Sequence, residues 1–305
     1  MRIVLVGAVN FTLHCFEAIR RGGGDIVGVV TLARELAGRH TDFADLAAAA
    51  EGAGIPAFRV QRVNDAASVA AIAALRPDVI FVFGWSEILS PEVLALPRLG
   101  CIGSHPALLP QHRGRHPLVW ALVEGLTESG LTFFYMDEGA DSGDILWQKP
   151  FPITLDDDAA TLYRKMEGLA AEAIADFVPQ LREGRAPRVP QDHARATYWR
   201  KRTEKDGEIQ WGAVTLQTYN LVRALSRPYP GAHTWLGDHR VRVWSAHLPL
   251  QSAADVGAAQ PPGTVLAATP DGFMVRTGDG CLEIIEHDVQ GTARLAVGAL
   301  LGGSA

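Results

Sequence analysis

Two hydrophobic rhythms alternate along the first third of this chain. Residues 2–7 (Arg-Ile-Val-Leu-Val-Gly) are a continuous apolar, β-branched run closed by Gly7, the pattern of a strand buried on both faces of a parallel sheet. Residues 11–21 then set Phe11, Cys15, Ala18 and Ile19 on one helical face and run into Gly22-Gly23-Gly24, a helix stop. The pair repeats as a strand at 26–32 and a helix at 41–53, capped by Thr41 or Asp42 and ended by Gly54. It repeats again as a strand at 57–60, an Ala-rich helix at 65–75 and a strand at 78–83 that opens into Gly84-Trp85-Ser86. Strands and helices in alternation, joined by a few residues each, predict an α/β domain with a doubly wound parallel sheet.

Farther on, an apolar run at 131–136 precedes a closing strand at 145–153. A long helix follows over 159–181, capped by Asp157 or Asp158 and carrying Leu162, Met166, Leu169, Ala173, Ile174 and Phe177 on one face. Residues 187–211 read as an irregular bridge, and 215–225 as a short helix. Then come short alternating segments at 232–236, 241–247, 263–268, 272–277 and 282–287, a spacing that predicts a small antiparallel barrel or sandwich. The resulting division is a first domain at 1–190, a linker at 191–210 and a β-rich domain at 211–305. Residues 252–263 read as a small-residue loop and 302–305 as a frayed end.

Composition narrows the setting. No run approaches the ~20 apolar residues of a membrane helix, and the apolar run at 3–6 is too short for a signal peptide, so the cytoplasm is the expected compartment. Cys15, Cys101 and Cys281 lie far apart, which indicates neither a disulfide framework nor a zinc site. The net charge of −6 argues against a broad nucleic-acid surface.

Candidate chemistry gathers in two polar loops. Residues 101–117 hold His105, His112, His116, Arg113 and Arg115 between prolines and glycine. Residues 137–144, Asp-Glu-Gly-Ala-Asp-Ser-Gly-Asp, follow the apolar run at 131–136. A histidine ending one strand and a carboxylate after another can meet across a crevice of an α/β sheet. The first loop, 7–11, lacks the G-x-G-x-x-G fingerprint of dinucleotide binding, although the helix start at Asn10 and Phe11 suits an anion or a polar substrate group.

Together, His105-Pro106-Ala107-Leu108-Leu109-Pro110 with Arg113-Gly114, and Ala140-Asp141-Ser142-Gly143-Asp144-Ile145, resemble the signature of the folate-dependent formyltransferases. Phe83-Gly84-Trp85 resembles their pterin loop, and Tyr198 to Arg202 with Asp206-Gly207 their inter-domain bridge. The resemblance covers roughly residues 1–235 and implies a Rossmann-like formyltransferase domain that uses 10-formyltetrahydrofolate as formyl donor. It makes His105 and Asp141 the catalytic pair. His105 would donate to the developing oxyanion or move a proton, while Asp141 would orient His105 and accept the proton shed by the attacking amine. It places Phe83, Gly84, Trp85, Ile88, Leu89, Glu138, Gly139 and Asp141 around the folate. Asn10, Phe11, Pro110, Arg113, Gly114 and Tyr198 are the expected substrate contacts. Trp85, Ile88 and Leu89 read equally as core; Arg113 and Arg115 hold phosphates or pair with carboxylates; His116 binds substrate or only opens the helix before Pro117.

One departure stands out: the family usually carries Asn two residues before the histidine, and this chain has Gly103. Ser104 points to the other face of the strand, leaving a backbone N–H, a water, His112 or Asn10 as replacements. Residues 206–305 carry six Arg, no Lys and nine Asp or Glu, a net of −3, and 32–40 offers only Arg34 and Arg39. A tRNA partner, whose affinity rests on phosphate contacts, is therefore not expected, and a nucleoside-diphosphate amino sugar is. The alternatives are transfer to methionyl-tRNA or to an amino acid, and a folate-binding or hydrolytic relative without transfer. A homodimer is compatible with every one of these.

Overall fold

Seven strands form one sheet in the order β3-β2-β1-β4-β5-β7-β8. They are β1 (Arg2–Val6), β2 (Asp25–Leu32), β3 (Ala57–Val60), β4 (Val79–Val82), β5 (Cys101–His105), β7 (Glu128–Tyr135) and β8 (Ile145–Pro152); the two-residue β6 (Arg113–Gly114) stands apart and pairs with β9 (Tyr198–Trp199). The first five strands are parallel, but β7 and β8 are antiparallel additions at the edge, so the all-parallel expectation holds only as far as β5. The computed structural model describes residues 1–39, 41–249, 259–269, 272–291 and 293–302. The parts of the anticipated loop and frayed end at 252–258 and 303–305 lie outside the described residues.

The helices up to residue 182 are α1 (Asn10–Arg21), α2 (Leu46–Gly52), α3 (Ala66–Ala74), α4 (Pro91–Leu94), α5 (Pro117–Val123) and α6 (Ala159–Arg182). The helix expected at 41–53 starts late. Its cap is Asp45, whose Oδ1 accepts from Ala48 N at 3.1 Å. Residues 41–44 instead run beside the end of β1: Val9 bridges Phe43, and Ala44 N donates to Ala8 O at 2.9 Å. At α6 the cap is Asp158, which accepts from Thr161 N at 2.8 Å, while Asp157 closes the preceding turn by accepting from Thr154 N at 2.7 Å.

Under the site the sheet is stiffened by aromatic packing. Phe83 stacks on Phe81 at 5.4 Å and meets Phe133 edge-on at 5.2 Å, and Phe177 of α6 packs against both Phe81 and Phe133. All four are buried. Each such pair contributes roughly 0.5–1.5 kcal/mol beyond its burial, so the ends of β4 and β5 rest on a floor of mutually packed rings. The strand order reverses between β1 and β4, and in open α/β sheets ligands bind beyond the strand ends at that reversal.

The chain divides into two compact units: Met1–Pro117 with Glu128–Pro152 and Tyr163–Arg200, and Leu118–Thr127 with Ile153–Leu162 and Lys201–Ala305. The second unit contains α7 (Thr215–Ala224) and the antiparallel sheet β10-β11-β14-β13-β12. Its strands are β10 (Ala232–Leu236), β11 (His239–His247), β12 (Val265–Ala268), β13 (Phe273–Arg276) and β14 (Cys281–Val289). The sheet's two edges are joined by the chain's own end. Gly302 N donates to Trp235 O at 3.1 Å, and Leu301 N donates to Gly263 O at 2.9 Å. The segment thus closes the sheet into a small barrel and removes its open edges.

Candidate active site

His105 is the last residue of β5 and is 4% exposed. Its Nε2 lies 2.7 Å from the carbonyl oxygen of His112. A carbonyl only accepts, so Nε2 is the protonated donor and Nδ1 is the nitrogen left to gain or lose a proton. Nδ1 faces Asp141 Oδ2 at 3.6 Å, close enough for an ion pair but too long for a hydrogen bond. The hydrogen bond that orients the imidazole thus goes to the His112 carbonyl, and Asp141 faces the other ring nitrogen at ion-pair distance. His112 itself is held in the left-handed region (φ +62°) by its N–H on Thr197 Oγ1 at 2.8 Å and by its ring stacked on Trp199 at 4.0 Å.

Asp141 also has a left-handed backbone (φ +54°), uncommon for a residue with a Cβ. Its Oδ2 accepts from Gly114 N at 2.9 Å. Around it the loop is tied down. Asp137 Oδ1 accepts from Gly139 N at 2.9 Å and from Ser142 Oγ at 2.6 Å. Gly143 lies so close to β7 that a Cβ would meet Tyr135 O at 1.8 Å. Gln191 Nε2 donates to Asp141 O at 3.0 Å and to Gly143 O at 2.6 Å. Glu138 and Gly139 are exposed at the turn of this loop.

The residues expected around folate divide by alternation. After β4 the chain bends at Gly84 and Glu87 and its exposure alternates, with Gly84, Ser86 and Ile88 exposed, Trp85 and Glu87 half-buried, and Leu89 buried. Ile88 is 57% exposed. Leu89 joins the core, Trp85 packs against that core, and Phe83 lies in the aromatic floor. The side chains of Phe83 and Leu89 thus shape the loop from below rather than face a ligand. Glu87 anchors the loop by accepting from Val63 N at 3.0 Å and Asn64 Nδ2 at 3.2 Å, and Arg115 donates to Ser86 O at 2.8 Å.

Two of the expected substrate contacts, Arg113 and Phe11, are corrected by their burial. Arg113 is 1% exposed; its guanidinium donates to Gln191 Oε1 at 2.7 Å and to Tyr198 Oη at 2.9 Å, so it builds the interior. Phe11 is buried edge-on against Phe83. The start of α1 is already engaged: Asn10 N donates to Asp42 O at 3.0 Å and Phe11 N to Tyr163 Oη at 2.9 Å, leaving the Asn10 side chain exposed. Tyr198 keeps an exposed ring, Gly114 supplies its N–H to Asp141, and Pro110 is half-buried in the loop after β5. That loop is braced by Gln148 Nε2, which donates to Leu109 O at 2.9 Å, and by Thr132 Oγ1, which donates to Ala107 O at 2.6 Å.

Gly103 shares its strand face with His105. A Cβ there would meet Phe134 Cζ at 2.9 Å and Met136 Cγ at 3.1 Å, so apolar side chains occupy the space where the resemblance led one to expect an amide. Sequence reading missed Gln191, Thr197, Thr132 and Gln148. Gln191 and Thr197 sit in the aperiodic bridge, and nothing in composition or spacing marks them.

Residues 1–178 match the family described as Formyl transferase, and residues 201–304 match Formyl transferase, C-terminal domain. The methionyl-tRNA formyltransferase of Pelotomaculum thermopropionicum is 33% identical over 306 residues, an alignment covering all of this chain and 96% of that protein. Among solved structures, WlaRD, a sugar 3N-formyl transferase crystallised with dTDP and 5-N-formyl-THF, superposes with a TM-score of 0.69 at 16% identity, over 96% of this chain and 99% of that one. HypX from Aquifex aeolicus in complex with tetrahydrofolic acid gives 0.69 at 19% identity over 93% of this chain, which spans 43% of the HypX chain. At such identities the two structures speak to the fold.

Proposed function

The chain belongs to the formyl transferase family, and from that premise we propose that it moves a formyl group from 10-formyltetrahydrofolate to the amine of a nucleotide-linked amino-deoxy sugar. Formyl transferases of this family draw on that donor, which when bound supplies a formyl carbon open to attack by an amine. The loop after β4 fits a flat, partly apolar pterin: Ile88 is exposed on it, Trp85 backs it from the core, and Gly84 (φ +62°) folds it tightly onto Val9.

His105 and Asp141 carry the proton chemistry. The attacking amine must lose a proton, and the lone pair of Nδ1 and the Asp141 carboxylate stand 3.6 Å apart to take it. An imidazolium formed at His105 is stabilised by that carboxylate, while the His112 carbonyl keeps Nε2 in place. The Gly114 N–H fixes the Asp141 carboxylate in place by donating to its Oδ2.

The observation that favours a sugar nucleotide over tRNA is how the chain after residue 205 uses its arginines. Arg223 donates to the carbonyls of Thr154 and Asp157, Arg227 pairs with Glu286, Arg240 with Glu204, Arg276 donates to Gly280 O, and Arg242 lies over Trp244. Five of the six arginines after residue 205 are thus engaged within the protein. A surface that neutralises tRNA phosphates needs several that are not. A second reading, transfer to methionyl-tRNA, is favoured by the 33% identical relative.

Tetrahydrofolate release from 10-formyltetrahydrofolate, measured with UDP-, dTDP- and GDP-linked amino sugars, ornithine and methionyl-tRNA, separates these readings. Release with one sugar nucleotide and a formyl group on that product supports the proposal; release with methionyl-tRNA alone overturns it. Asp141→Asn is expected to lower turnover by a hundredfold or more while folate binding persists, and a near-wild-type rate refutes the role given to Asp141.

A further inference from the structure

We propose that Gln191, seated on the buried cation of Arg113, is the positioning residue that sets the Asp141 carboxylate opposite His105. The inference rests on the catalytic reading of Asp141 and goes beyond it to a residue outside both motif loops.

Asp141 occupies a backbone conformation it does not favour by itself, φ +54°. Such strain persists only where neighbouring groups over-determine it. Those groups are Gly114 N on the carboxylate and Gln191 Nε2 on the carbonyls of Asp141 and Gly143. Gln191 is 6% exposed, so water competes weakly for those two acceptors. Its other end accepts from Arg113 at 2.7 Å. Arg113 is fully buried, and its remaining partners are the neutral Tyr198 Oη at 2.9 Å and His193 Nδ1 at 3.2 Å. A cation pulling on the amide oxygen makes the amide N–H a stronger donor, as in any polarised hydrogen-bond chain.

The chemistry requires a side chain that both accepts and donates, which an amide does and a carboxylate does not. Arg113 and Gly114 together form β6. The same two residues therefore hold Gln191 from one side and the Asp141 carboxylate from the other, and the loop is gripped at its backbone and at its working group by one short strand.

Gln191→Glu is the informative variant. It keeps an acceptor for Arg113, now a counter-ion, and removes both bonds to the Asp141 loop. The expected result is a kcat lowered about tenfold to hundredfold, since an ångström of misplacement has that effect, with KM for 10-formyltetrahydrofolate within twofold and an unlowered melting temperature. Nitrogen NMR of the histidine rings, with His105 assigned by His105→Gln, is expected to move the His105 Nδ1 signal in the same direction as Asp141→Ala does. Added to Asp141→Ala, Gln191→Glu is expected to cause no further loss, because it acts through that carboxylate. A kcat within twofold of wild type with an unmoved His105 signal overturns the proposal, and so does an equal fractional loss in the Asp141→Ala background. Gln191→Met removes donor and acceptor alike and should lower both melting temperature and kcat; a fall in the first without the second also overturns it. If Asp141→Ala itself turns over like wild type, the catalytic reading fails, while the His105 signal in Gln191→Glu still reports whether the loop has moved.

Discussion

Gly103→Asn would restore the amide that the resemblance leads one to expect, and it should damage this protein. The Cβ alone would lie 2.9 Å from Phe134 Cζ, 3.0 Å from Phe134 Cε1 and 3.1 Å from Met136 Cγ, against an optimum of about 3.5–4.0 Å between carbons. Phe134 cannot swing into solvent: it is 3% exposed and directly opposes Gly103 in the β5–β7 ladder. Overpacking of this kind costs about 1–3 kcal/mol. An amide driven in against a phenyl ring and a thioether, without a partner, adds about 1–3 kcal/mol. Since each kcal/mol moves the melting temperature by about 2–4 °C in a unit of this size, the transition of the first unit should fall by roughly 5–20 °C. Thermal melts of the full chain by circular dichroism measure this. Gly103→Ala isolates the steric part and should give the smaller shift, and Phe134→Leu added to Gly103→Asn should recover more than a kcal/mol relative to additivity. Turnover should fall with Gly103→Asn, because Phe134 and Met136 share the strand face with His105. A Gly103→Asn protein that melts within about 2 °C of wild type would show that the apolar filling of this position is not what the geometry makes it.

Thr197→Val removes the acceptor for His112 N while keeping the side-chain volume; with the carbonyl that orients His105 loosened, kcat should drop several-fold at unchanged KM in the tetrahydrofolate-release assay. In the barrel, burial lowers the pKa of His233, with Arg240 adding to it, and burial lowers that of His287. A histidine held below its ordinary value of about 6.5 is kept neutral by the fold, so its contribution to stability is complete above that value and is lost as pH falls through the lowered one. The second unit should therefore melt progressively lower on acidification from pH ~7 toward ~5, and His233→Gln should flatten that dependence; an equally steep profile in the variant refutes the assignment. Burial raises the Cys101 thiol to about 12 and Cys15 well above its usual range. A disulfide-exchange reagent at mildly alkaline pH should leave both unlabelled in the native protein and label them on unfolding.

Three strands of the first sheet were legible because strands buried on both faces leave little freedom of composition: 2–7, 26–32 and 78–83 are apolar runs with glycine or polar stops, while 57–60, the half-buried edge strand, was legible from its place in the strand–helix alternation. The antiparallel turn of β7 and β8 was not legible, since an apolar run does not encode direction. The late start of α2 was hidden for a similar reason: Thr41 and Asp42 are good caps, but Val9 and Ala8 take the backbone of 43 and 44 into an extended bridge first. Within the site, motif spacing located the two loops but not the facing of their side chains. Period-two alternation decides that Ile88 looks out and Leu89 in. One buried guanidinium decides that Arg113, which composition offers as a phosphate ligand, becomes part of the scaffold. Gln191 was illegible from either side, since its importance comes from two carbonyls and a cation that only the folded chain brings within reach of one amide. The division is physical. Groups that react must have particular protonation chemistry and so stand out as His and Asp, whereas groups that hold them need only a donor and an acceptor, which most polar residues provide. What is specified for such residues is place, and place is fixed by contacts distant in sequence: 50 positions separate Gln191 from Asp141 and 85 separate Thr197 from His112.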